Sequence, residues 1–233
     1  MDDAMKNQAG MDCGDMPGKD GVPSRQRRVS QSDRDLLKAQ LERAAFSLFL
    51  EGGSKAISLR AVARAAGVSA MTPYGYFSSK ADLLASLWPH ILGRLFDILE
   101  PIFDAPMEAR QKQGLVCEAI LDYWEQHPEH YRIVYMTEGV SPDASLEQRA
   151  KVPRYRASLE KNLATTTGFA CDIGADPSKA AMANDMRFAM LLGFAHATVV
   201  TRHFPWTDRQ RLKRHYVEQV VRSMEEFLLR KDT

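Results

Sequence analysis

Cysteine is scarce: Cys13, Cys117 and Cys171 are the only three in 233 residues, widely spaced and odd in number. That excludes a disulfide framework and a zinc site built from cysteine pairs, and leaves buried or incidental thiols. Long apolar runs are missing too. None approaches a membrane span, and the N-terminus lacks the hydrophobic stretch of a signal peptide. The sequence therefore predicts a cytoplasmic protein with no membrane partner. No segment alternates apolar and polar residues with a period of two, which argues against strands. A glycine-rich phosphate loop and a nucleophile elbow are also absent. His127 and His130 flank Pro128 without a third ligand at metal spacing. No metal, cofactor or catalytic residue is expected. Glu118 and Asp122, four apart, read as a solvated helix face.

Net charge is nearly absent as well, at +1, but its distribution is uneven. Residues 1–23 carry two Lys/Arg against five Asp/Glu. Residues 24–80 carry ten against four, and residues 81–233 nineteen against twenty-one. One short block is basic and the rest is not. A localised basic block is the usual footprint of a phosphate-binding surface. A solvated face that happens to be basic is the bland alternative.

Residues 1–30 are rich in Gly, Asp, Ser and Met without apolar periodicity, which predicts a disordered tail. Its end concentrates Arg25, Arg27 and Arg28. Ser32 with Asp35 three residues on resembles a capping box. Leu37, Leu41, Ala44, Ala45, Leu48 and Phe49 then follow helical spacing up to Gly52-Gly53. In "AISLRAVARAAG", Ser58 is the expected N-cap of a second helix ended by Gly67. Ser69 is expected to cap a third, very short helix to about Phe77. Ser79 caps a long helix from Lys80 toward Glu100, with a kink near Trp88 caused by Pro89. Further helices are predicted over 107–127, 129–138, 145–167, 177–203 and 207–230, with Pro106, Pro128, Pro142, Pro177 and Pro205 at their boundaries. The fold class is all-α with about nine helices.

Three short helices with small alanine contacts around a glycine turn suit a helix-turn-helix. In such a unit the second helix of the pair enters the major groove by its N-terminal residues. That places Ala70, Met71 and Thr72 nearest the bases, where Ala, Met and Thr can meet a thymine methyl. Tyr74 and Tyr76 are directed to phosphates, which position without specifying. Phe77 is expected inward. Lys80 adds a phosphate charge, as do Arg60 and the Arg28 arm, and the helix starts at Ser58 and Ser69 offer backbone N–H groups. The alternative is a helical hairpin used only for packing.

The stretch "ISLRAVARAAGVSAMTPYGYFSSKADLL", residues 57–84, also resembles the tetracycline-repressor (TetR) family of transcriptional regulators. The likeness lies in the Gly-Val-Ser turn, the Tyr-x-Tyr-Phe group and the lysine before the long helix. Pro73 stands where an apolar residue is frequent, and Gly75 where a polar or basic one is usual. The resemblance implies a helix-turn-helix DNA-binding domain over residues 31–79 and a helical effector-binding and dimerisation domain over 80–233. It implies a regulator of transcription, a repressor released from a pseudo-palindromic operator on double-stranded DNA by a small-molecule effector.

Two features of the larger part agree with it. Helix 177–203 is rich in small residues, with Ala189, Gly193 and Ala197 allowing close approach. Helix 207–230 carries Tyr216, Val220, Met224 and Phe227 on one face. Two such helices from each subunit would make a four-helix homodimer interface. For a ligand pocket the candidates are aromatic or polar groups in apolar helices: Trp88, Phe96, Tyr123, Trp124, Tyr131, Tyr135, Arg187, Phe194 and His196. An all-helical enzyme or protein-interaction adaptor, keeping the three-helix unit for packing, is the competing class. Salt-sensitive DNA binding separates the two.

Overall fold

The computed structural model describes residues 30–140, 147–152, 155–201 and 203–230. Nine α-helices have their bounds among these residues, together with two 3-10 turns and no strand. The predicted tail over residues 1–29 and the boundary at Pro142 lie outside the described residues.

Helix α1, Gln31–Ala56, starts two residues earlier than the spacing predicts. Ser30 rather than Ser32 is its cap: Ser30 Oγ accepts from the Asp33 N–H at 3.1 Å, and the Asp33 carboxylate takes the Ser30 N–H at 3.3 Å. The same Ser-x-x-Asp spacing occurs at both places, and the outer pair closes the box. Gly52-Gly53 bends this helix instead of ending it. Gly53 lies at φ 66°, ψ −168°, a region that disfavours other residues, and the chain regains a helical turn to Ala56.

Helix α2, Leu59–Ala65, is capped by Ser58, whose Oγ accepts from the Ala61 N–H at 3.1 Å. Gly67 at φ 67° ends it, with its N–H on the Arg64 carbonyl and the Val68 N–H on that of Ala63. This paired closure is the Schellman arrangement, and it turns the chain sharply at the helix end. The predicted third helix is a single 3-10 turn, Thr72–Gly75. The reason is Pro73. An α-helix begun at Ser69 would need the residue-73 N–H on the Ser69 carbonyl, and proline has none. The Thr72 N–H takes that carbonyl instead, at 3.0 Å.

The long helix expected from Lys80 is two helices, α3 (Lys80–Ala85) and α4 (Trp88–Asp104). Pro89 does not kink a continuous helix. It sits in the first turn of α4, where no N–H is required. Helix α3 keeps its expected cap, Ser79 Oγ accepting from the Asp82 N–H. Beyond lie α5 (Ala109–Gln126), α6 (Pro128–Tyr135), α7 (Tyr155–Asp172), α8 (Ala180–Val200) and α9 (Arg209–Leu229). Of the helix predicted over 145–167, residues 147–150 are helical and α7 itself begins at Tyr155. Asp122 is half-buried and bonded to Lys213 of α9 at 2.5 Å, so it braces two helices rather than marking a solvated face.

Helix α5 is the axis of the larger part, packed against α4, α7, α8 and α9. Leu41, Ala45, Phe49, Ile57, Val62, Phe77 and Leu83 fill the smaller N-terminal core. The two cores are continuous through Leu87, Trp88 and Ile91. Helix α6 touches α1, α3 and α4, and so braces one part against the other.

Candidate functional site

The first candidate site is the outer surface of α2 and the turn that follows it. The caps and turns just described are local, so they hold residues 58–80 in a fixed frame with little help from distant sequence. Gln40 Nε2 donates to the Ala66 carbonyl at 2.8 Å, tying the end of α2 to α1. On this frame Ser58, Arg60, Ser69, Ala70, Met71 and Tyr74 are exposed. Met71 is 73% exposed and Tyr74 48%, large side chains that the protomer's own core does not use. Phe77 is 2% exposed, inward as expected.

Some expectations are displaced. Ser69 caps no backbone group: its hydroxyl is bonded to the Thr72 hydroxyl at 2.9 Å. Thr72 is half-buried, and Tyr76 is half-buried against the core rather than freely extended. The Lys80 ammonium is exposed but donates to the Ser54 carbonyl at 2.8 Å, at the end of α1. Arg28, with the rest of the basic arm, lies outside the described residues. Arg64 escaped the sequence reading. It is exposed, four residues after Arg60 on the same helix, and that i, i+4 spacing was the available signal.

The second candidate is a cavity of about 450 Å³ lined by α4, α5, the end of α6, α7 and α8, with Arg149 from the segment 147–152. Of the residues expected at a pocket, Phe96, Trp124, Tyr135 and Arg187 line it. Trp88, Tyr123, Tyr131, Phe194 and His196 do not. The Trp88 indole N–H donates to the Ile133 carbonyl, and Tyr123 Oη to that of Ile91 at 2.6 Å. The Tyr131 hydroxyl lies 3.3 Å from His196 Nδ1, and His196 itself is exposed. Phe194 stacks on Tyr216, with ring centroids 4.7 Å apart. These side chains hold helices together. Asn162, Asn184, Arg149 and Tyr155 line the cavity and were missed. Two asparagines within otherwise regular helices were the sign.

Burial sets the protonation states here. It pushes the Cys117 thiol up to about 11 and the Tyr135 phenol up to about 12, so both are neutral near pH 7. Burial also draws the Arg187 guanidinium below its ordinary value. At the seam between α1 and α6, the buried His130 ring lies against Phe49 and stacks on His127. Its pKa is lowered to about 4 by burial, then by His127 and Arg94. Since Tyr123 Oη donates to the Ile91 carbonyl, it accepts from His130 Nδ1–H at 3.0 Å.

The expected association face divides. Val220 and Met224 are 0% exposed within one chain, so they belong to the protomer core. Ala189 and Gly193 are exposed, and Ala197, Tyr216 and Phe227 half-buried. Among the described residues no group of three or more His, Cys, Asp or Glu is placed to hold a metal ion, and no helix is long and apolar enough to cross a membrane.

Residues 42–87 match the family of bacterial regulatory proteins called the tetR family. FasR of Mycolicibacterium smegmatis, a helix-turn-helix transcriptional activator, is 28% identical over 115 residues, 49% of this chain and 52% of that protein. The match therefore spans about half the length of that relative. The fatty acid degradation regulator FadR of Bacillus halodurans has a similar fold, with TM-score 0.56 and 18% identity over 84% of this chain and 97% of that one. FadR of Bacillus subtilis, solved with stearoyl-CoA, gives TM-score 0.53 and 22% identity over 78% and 97%. At these identities the solved structures speak for the fold.

Proposed function

We infer, from the match of residues 42–87 to the tetR family of bacterial regulatory proteins, that the chain is a sequence-specific DNA-binding transcriptional regulator. The observation that carries this is the exposure of Ala70, Met71 and Tyr74 on a rigid turn beside Arg60 and Arg64. Apolar and hydroxyl groups there suit base edges, and the arginines suit phosphates. Residues 31–79 form the DNA-binding unit and the helices beyond it an effector and association domain. A protein that works on the chromosome acts inside the cell.

The exposed faces of α8 and α9 support a homodimer. Met182, Phe188 and Leu212 are large and exposed there, beside Ala189 and Gly193. One short recognition turn covers few bases, and a second copy supplies a second half-site about one helical turn away. The operator is then pseudo-palindromic.

The cavity supports a small-molecule effector. Its walls come from α4, which begins at the seam with the DNA-binding unit, and from four helices of the association domain. A ligand that prefers one arrangement of these helices changes operator affinity by that preference and no more. Release of DNA on ligand binding makes the protein a repressor where its operator overlaps the start of transcription.

The test is selection of bound duplexes from a random pool by the full chain, repeated with candidate effectors. Enrichment of a two-fold symmetric site, with affinity that falls steeply with salt, is the expected result. No enrichment at low salt removes the reading. Sedimentation of the same sample checks the dimer.

A further inference from the structure

The cavity wall is largely apolar: Arg149, which lies over the Trp88 ring 5.4 Å from its centroid, and Tyr155 add polar groups, and the remaining ones gather in one buried patch. Leu95, Phe96, Leu99, Phe103, Trp124 and Leu191 make most of it. Against them stands Arg187, 3% exposed, with its guanidinium held by two neutral groups, the Gln113 and Asn162 side-chain oxygens. Among the described residues no carboxylate is paired with it. Asp185 also lines the cavity but is exposed and makes no ion pair with Arg187. A buried cation compensated only by amides is costly to fold around.

The surrounding network has a direction. A guanidinium only donates, so both amides must turn their oxygens toward it. The Gln113 Nε2 then donates to Thr166 Oγ1 at 3.1 Å, and the Thr166 hydroxyl to Asn184 Oδ1 at 2.6 Å. Asn162 and Asn184 both line the cavity, and each has its side-chain oxygen engaged. Their amide N–H groups have no partner among the described residues. One patch of an apolar chamber thus offers a positive charge and N–H donors from three side chains.

We propose that the cavity takes an apolar molecule ending in a carboxylate, whose oxygens sit on Arg187, Asn162 and Asn184 while its body lies along the leucine and aromatic wall. This rests on the reading of the cavity as the effector site. A carboxylate has two acceptor oxygens and the missing negative charge, so it answers every unmet group of the patch at once. A neutral alcohol can accept from these donors but leaves the charge uncompensated.

Calorimetric titration of the full chain with decanoate, tetradecanoate and naphthoate, each against the alcohol of the same skeleton, tests this. The carboxylates are expected to bind about 10- to 100-fold more tightly than the alcohols, the ratio for hydrogen bonds to a charged group. Arg187→Met should bring the two members of each pair to the same affinity. Asn184→Leu, which keeps the cation, should narrow the ratio only in part and serves if the first variant does not fold. Equal affinity within the pairs for the unaltered protein overturns the proposal and leaves the effector site standing. So does a carboxylate preference that survives Arg187→Met, or tetradecanoyl-CoA displacing tetradecanoate equally well from both proteins. Binding of none of these ligands overturns the effector site as well.

Discussion

Residues 30–85 and helices α4–α9 use the same building material in opposite ways. In the first part the buried side chains are apolar, Leu41, Ile57, Val62 and Phe77 among them, and the chemistry faces outward. In the second, chemistry is inside: Gln113, His130, Thr166 and Arg187 are all buried. An outward surface needs only a firm floor beneath it, and short capped helices supply one. An inward site must carry polar groups through a core, where each is held by a partner from another helix. The first arrangement suits a partner too large to enclose, the second a ligand small enough to swallow.

The largest expected effect breaks the floor. Phe77→Ala opens the small N-terminal core and should cost about 3–5 kcal/mol. DNA binding should vanish at temperatures where circular dichroism still reports most of the helix. A single transition that removes both together would mean that the two parts are one unit, and the contrast would fail.

Acid attacks the seam. His130 titrates at about 4 in the folded chain, against an ordinary 6.5 in the unfolded one. The folded value is the lower, so the unfolded chain takes up the proton first. Stability is complete above about pH 6.5 and falls as the pH drops toward 4, by about 2–3 kcal/mol. Urea melts at pH 7 and pH 4.5 should show the loss, and His130→Gln should flatten it.

Smaller effects probe the outer surface. Thr72→Ala should weaken binding by about 1 kcal/mol at particular base pairs, whereas Lys80→Ala should weaken it on every sequence. Competition between cognate and scrambled duplexes reads the difference. Equal losses for Thr72→Ala on both would remove that residue from base readout. Smallest of all is Gly75→Ala. A Cβ there meets nothing within 4 Å, so folding stability should change by less than about 0.5 kcal/mol in a thermal melt.

The same contrast explains how much the sequence discloses. Ser58, Gly67 and Ser79 act on residues within four positions, so the frame of residues 58–80 was legible, and Phe77 with it. Pro73 and Pro89 were visible, but their consequences were not. Whether a proline bends a helix or starts a new one depends on which neighbouring carbonyl finds another donor. The cavity was only partly legible. Phe96, Trp124, Tyr135 and Arg187 were singled out, yet nothing local separates them from Tyr123 or Tyr131, aromatic residues that bond to neighbouring helices. Lining a cavity is a relation between residues 92–192 on five helices and Arg149. The same holds for Val220 and Met224. A helical stripe shows that a face is covered, and only the packing tells whether the cover is the chain itself.

The bond between the Ser69 and Thr72 hydroxyls has a consequence for searching along a chromosome. If the turn faces the bases as proposed, the closed pair keeps one hydroxyl hydrogen within the turn and leaves one for the duplex. A duplex that calls on both hydroxyls as donors would have to part them and satisfy each. At a wrong site the exchange is a loss of about 0.5–1.5 kcal/mol, and the pair stays shut. On the proposed reading, the surface would stay fast on foreign DNA and open the pair only where the bases offer more than the hydroxyls give each other.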